Sequence, residues 1–236
     1  MNRSNTSAPL CQAPDSEIRS PKIAFPSGAV DCHAHVCGPA TEFPYASERI
    51  YTPPDATLET YRLLINMLHV DRAVLVQPSV YGTDNRAMLA ALKQYPEQFR
   101  GVAVISSNPN ETTDKELESL HQAGVRGIRC NIVDVADPSA GLPIKNLKQL
   151  ANKIKPFGWH LELLMHVNEY PSLAKIFEDF PNNFASVESK SRTKPLTSLV
   201  SLANLWTICM ISIICKSIGL SSIRIISIAS TTISTN

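Results

Sequence analysis

The segment Asp31-Cys32-His33-Ala34-His35 combines residue types that bind metals and polarise carbonyls, at a spacing that a strand can turn into a site. Side chains alternate along a strand, so Asp31, His33 and His35 are predicted on one face and Val30, Cys32, Ala34 and Val36 on the other. Two imidazoles roughly 7 Å apart along a strand can grip one divalent metal or one polarised oxygen, a catalytic use of His33 and His35 either way. With six histidines in the chain, spacing alone is weak evidence. The place of the pair at the end of an apolar run, just before Gly38-Pro39, is what argues for function.

A second cluster lies on a later apolar run. There His160, Glu162, Leu164 and His166 alternate with Trp159, Leu161, Leu163 and Met165, which puts His166 at the end of its strand, level with His35. His166 is a candidate third metal ligand or a plain hydrogen-bonding residue. In Gly124–Asn131, Arg129 and Asn131 share one face while Ile128, Cys130 and Ile132 face the helices, and Arg126 on that opposite face reads as structural. An inward arginine suits a substrate carboxylate bidentately; the alternative is an internal ion pair with Asp31, Asp134 or Glu162. The long loop Cys37–Pro54 holds Tyr51, which could donate to a substrate oxygen or simply cap the site's mouth.

The elements that must position these residues alternate regularly. Strands are predicted at Ala29–Val36, Arg72–Gln77, Gly101–Ile105, Val125–Ile132 and Trp159–Val167. Helices follow at Thr57–His69, Asn85–Gln94, Asp114–Gln122, Ile144–Ile154 and Pro171–Asp179. Five strand-helix units of about 31 residues each fit an α/β chain with a parallel sheet and helical crossovers. In such sheets chemistry sits at the C-terminal ends of the strands, where the polar residues named above fall.

Composition limits the function classes. The 236 residues carry a net charge of +1 and no basic stripe, which excludes nucleic acid as the main partner. Residues 1–28 read as a polar arm with no apolar run of signal-peptide length, and the six cysteines show no C-x-x-C spacing. Reduced thiols and a cytoplasmic location are expected. Residues 29–182 read as the barrel-like part, and residues 183–236 as a different kind of sequence. From Leu196 onward there are ten Ile, nine Ser and five Thr, with one Gly, no Pro and no acid.

The segments Asp31-Cys32-His33-Ala34-His35-Val36-x-Gly38-Pro39, Phe43-Pro44-Tyr45-Ala46-x-Glu48-Arg49-x-Tyr51-Thr52-Pro53 and Gly127-x-Arg129-x-Asn131 resemble the amidohydrolase-related metal-dependent hydrolases of the 2-pyrone-4,6-dicarboxylate lactonase type. The resemblance spans about Pro21 to Phe184. It implies a (β/α)8 TIM-type barrel, of which about five of eight units are readable here, and a lactone ring opened by water. It also implies that His33 and His35 flank the scissile carbonyl, with Tyr51 and Arg129 binding a carboxylated, anionic lactone. Pyrone lactonases work without a metal and have tyrosine in place of His166. A histidine there is similar to metal-binding relatives, which implies one divalent metal, zinc, on His33, His35 and His166. Those lactonases also carry a second basic residue where this chain has Asp134-Val135, which weighs against a dicarboxylate substrate.

The family pattern continues into a sixth-strand His and an eighth-strand Asp that acts as general base. This chain has no His after His166 and no Asp after Asp179, so hydrolase activity is expected to be impaired. A coding end read out of frame, a membrane anchor at Leu199–Cys215 or extra β-strands are the three readings of the tail. A decarboxylase of the same superfamily and an inactive, ligand-binding remnant are the alternatives to a lactonase.

Overall fold

A computed structural model describes residues 8–189, apart from 15–16, 134–141, 166–169, 171, 179 and 182–183. Six strands, β1 (Val30–Ala34), β2 (Arg72–Val76), β3 (Phe99–Ala103), β4 (Val125–Asn131), β5 (His160–Met165) and β6 (Phe184–Ser189), form one sheet in that spatial order. Every neighbouring pair is parallel. A doubly wound sheet reverses its strand order at a switch point, and this one does not. Strictly sequential parallel order is that of a curling half-barrel, so the predicted barrel class is the observed one.

The crossovers are α1 (Leu58–Met67), α2 (Arg86–Gln94), α3 (Asp114–Gln122), α4 (Ile144–Ile154) and α5 (Leu173–Phe177). Two of the starts have a local cause. Thr57 accepts from the Thr60 N–H, and Thr113 with Glu116 forms a reciprocal capping box at α3. The helices cover one face of the sheet: Ala73, Leu75, Phe99, Ile128, Leu161 and Leu163 share a single core with Ile65, Met88, Leu117, Leu147 and Leu150. Val74, Val76 and Val102 form a separate small cluster on the other face, the inside of the half-barrel.

Three details depart from the sequence expectation. Strand β3 begins at Phe99, because Phe99 itself enters the core and pairs with Ala73. The sheet also runs one strand beyond the five units, with β6 pairing along β5. Most consequential is a register shift in β1 between Asp31 and Ala34, which breaks the simple alternation predicted for the His-x-His segment. Among the described residues, no helix is long and apolar enough to cross a membrane. Leu199–Cys215 and His166 lie outside the described residues.

Candidate active site

Strand β4 supplies Arg129, whose Cα is paired with that of Glu162 on β5. Both are buried, and the guanidinium Nε lies 3.6 Å from Glu162 Oε1. A second guanidinium nitrogen, Nη1, donates to the Gln77 carbonyl at 3.3 Å. A buried arginine without a counter-charge is costly, and Glu162 provides one, while Asp134 lies outside the described residues. Arg126 instead donates to the carbonyls of His121 and Val125, which fits its structural reading.

The two β1 histidines reach this ion pair. His33 Nδ1 lies 3.6 Å from the same Glu162 oxygen, and the His33 and His35 rings meet edge-on with centroids 4.9 Å apart. His35 Nδ1 is 2.7 Å from the Val76 carbonyl. A carbonyl can only accept, so Nδ1 carries a proton there. Glu162 is therefore the hub on which His33 and Arg129 meet. Its signal was present in the sequence: a carboxylate on the inward face of a strand whose other residues, His160 apart, are apolar.

Asp31 is the correction. Alternation placed it beside His33 and His35; the structure turns it to the helix side, where the Tyr61 hydroxyl of α1 donates to its Oδ2 at 2.9 Å. The bulge in β1 is the physical reason, since one inserted residue inverts the alternation that follows.

One layer below, His160 is fully buried and lies over Gly127, where an added Cβ would come within 2.5 Å of the imidazole. Burial holds its pKa down at about 4, so it is neutral. Only glycine leaves room for that ring. His160 is a packing residue of the barrel interior.

The loop after β1 folds back over the mouth. Cys37 and Ala56 exchange backbone hydrogen bonds, the Gly38 N–H donates to Tyr81 Oη at 2.7 Å, and the Ala46 N–H donates to the Val80 carbonyl. Thr52 is tied to the N-terminal arm through the Pro9 carbonyl and the Cys11 N–H. Tyr51 packs with Phe43 and Tyr45 on the Val80, Tyr81 and Ala87 cluster. Burial raises its pKa, while a hydrogen bond with Ser79 and the Arg129 charge act the other way. Tyr51 thus remains a protonated donor at the edge of the site that Arg129 occupies.

A catalytic zinc uses three protein ligands, and ligating histidines engage their second nitrogen with a carbonyl or carboxylate. His33 and His35 fit that chemistry, with Glu162 and the Val76 carbonyl at their Nδ1 atoms. Among the described residues no group of three or more His, Cys, Asp or Glu could hold a metal, so the donor set there is two imidazoles.

The sequence matches the amidohydrolase family over residues 30–186. It is 40% identical over 162 residues to a 2-pyrone-4,6-dicarboxylate hydrolase of Comamonas testosteroni, an alignment covering 68% of this chain and 51% of the relative. Identity is also 40%, over 122 residues, to a 4-sulfomuconolactone hydrolase of Rhizobium radiobacter, covering 51% of this chain and 40% of the relative. Among solved structures, a protein of Acinetobacter baumannii assigned as a 2-pyrone-4,6-dicarboxylic acid hydrolase and crystallised with citric acid superposes with a TM-score of 0.58 at 27% identity. That match covers 68% of this chain and 57% of the other. The chain spans about half or less of the length of these two curated relatives.

Proposed function

This chain belongs to the amidohydrolase family, and from that premise we propose that it hydrolyses a lactone, the cyclic ester of a carboxylated small molecule. The observation that carries the reading is the meeting of His33 and His35, at the C-terminal rim of β1, with the buried Arg129–Glu162 pair of β4 and β5. In a parallel barrel that rim is where substrates sit.

Each residue then has a role. His33 and His35 present imidazole nitrogens to the carbonyl oxygen, where negative charge grows as water adds to the carbon. Donors aimed at that oxygen lower the barrier more than they tighten substrate binding. The ring C–O bond breaks, the acyl carbon keeps the water oxygen as a carboxylate, and the released ring oxygen takes a proton. Arg129 and Tyr51 orient the anionic group, Arg129 with its charge partly balanced by Glu162. A divalent metal, zinc by donor type, would be held by His33 and His35 with His166 as third ligand, and would supply an acidified water. A reducing, cytoplasmic location fits six cysteines that show no C-x-x-C spacing.

The test offers the purified chain a panel of carboxylated lactones, including 2-pyrone-4,6-dicarboxylate and 4-sulfomuconolactone, with and without added zinc. Ring opening is followed by acid release. Turnover above the buffer rate that disappears in His33→Ala supports the reading, and a low rate fits the impaired activity expected from sequence. Carbon dioxide release without ring opening would point to decarboxylation. No turnover, together with no lactone-induced rise in melting temperature, would sink it.

A further inference from the structure

The Asp31-x-His33 spacing has a use that neither metal binding nor carbonyl polarisation explains. On β1 the step from Asp31 to Ala34 is three residues, while the paired step on β2, from Ala73 to Leu75, is two. One residue is extra, at Cys32–His33. Paired residues of parallel strands point to the same side, and Ala73 and Leu75 lie in the helix-side core. Asp31 and Ala34 therefore both face the helices, and His33 between them is free to project inward, to within 3.6 Å of Glu162. Were β1 regular, His33 would follow Asp31 to the helix side, because a one-residue slip reverses the face of every side chain beyond it.

A bulge leaves backbone groups off the ladder, and a carboxylate turned into a helix layer is costly unless bonded. Here the two problems solve each other. The His33 N–H donates to Asp31 Oδ1 at 3.1 Å, and the Tyr61 hydroxyl donates to Asp31 Oδ2 at 2.9 Å. Tyr61 is itself packed against the core, its ring 6.3 Å from that of Phe99. One carboxylate thus stitches the inserted residue and ties it to α1.

We infer that Asp31, held by Tyr61, is the positioning residue that locks the β1 bulge and so aims His33 into the site. It acts through His33 and touches no substrate. The inference rests on the lactonase reading for its kinetic consequence and on backbone geometry alone for its structural one.

The full chain, labelled with 15N, is compared with Asp31→Ala, Asp31→Asn and Tyr61→Phe for amide exchange at His33, for lactone kinetics and for melting temperature. In Asp31→Ala the His33 amide is expected to exchange at least about tenfold faster while β2 and β3 amides keep their rates. The kcat falls about 100-fold, with KM held within about threefold, as expected for a misplaced catalytic group. Asp31→Asn keeps Oδ1 as an acceptor and recovers most of both losses, and Tyr61→Phe falls between. Should Asp31→Ala not fold, Tyr61→Phe, which removes one oxygen, carries the same comparison. If the wild type opens no lactone, the functional reading fails and His33 exchange alone decides the inference. Unchanged His33 exchange in the variants overturns it, as does a loss of kcat that tracks a uniform speeding of exchange in all strands.

Discussion

Glu162 carries opposite duties toward its two neighbours. It balances Arg129 and faces His33, both at 3.6 Å from the same oxygen. Removing its charge takes a counter-charge away from a buried guanidinium, so Glu162→Gln should cost about 3–5 kcal/mol in denaturant unfolding. Replacing both partners together, Arg129→Met with Glu162→Leu, should recover most of that loss. If the double variant is no more stable than the single one, the pair is not what holds this layer. A steric prediction sits one layer down. Gly127→Ala would set a methyl within 2.5 Å of the His160 ring, and overpacking of that kind should cost about 1–3 kcal/mol. In a His160→Ala background the same substitution should cost much less; equal costs in both backgrounds would place the strain elsewhere.

At the scale of elements, the loop after β1 is built as a fixed cover, because the backbone donors of Cys37, Gly38, Ala46 and Thr52 are used on neighbouring segments. Gly38 takes φ +85° and sits against the Asp55 carboxylate, so no side chain fits there. Its N–H relies on Tyr81 Oη. Tyr81→Phe deletes that acceptor and should destabilise the loop by about 1–3 kcal/mol if the N–H stays dry. The expected readout is faster amide exchange at Gly38 and Ala46 and a raised KM for the lactone, with β-sheet amides unaffected. Unchanged loop exchange would show that Tyr81 is not the latch. For α3 the capping box makes a simpler case: Thr113→Ala should cost about 1 kcal/mol, read as a lower melting temperature.

For the whole molecule, buried imidazoles set the acid side of stability. His160 has a folded pKa of about 4, below the ordinary value near 6.5 for an exposed histidine. The unfolded chain therefore binds the proton first as pH falls. Its contribution is complete above about pH 6.5 and is lost between there and pH 4, by at most about 3 kcal/mol. His121, also shifted down by burial, works in the same direction, and it accepts the Trp159 indole hydrogen bond through Nδ1. Urea midpoints should thus fall steadily from pH 6.5 to 4, and His160→Asn should flatten much of that slope. An unchanged slope in the variant would assign the acid sensitivity to other groups.

Much of this was legible in order along the chain. Periodicity delimited α3 and α4 to the residue, and the apolar runs located β1 to β5, because burial on both faces of a parallel strand leaves a local imprint. The residue types His33, His35 and Arg129 and their strand-end positions followed from the sequence as well. Which way those side chains face did not. A bulge is a mismatch between two strands, so the turning of Asp31 toward Tyr61 depends on β2, 40 or so residues away. The choice of Glu162 as the partner of Arg129 likewise required the register of β4 on β5, which brings the two Cα atoms side by side. Local pattern determined the elements and their chemistry; pairing between strands decided who meets whom, because contacts at long sequence separation are set by register that no single segment encodes.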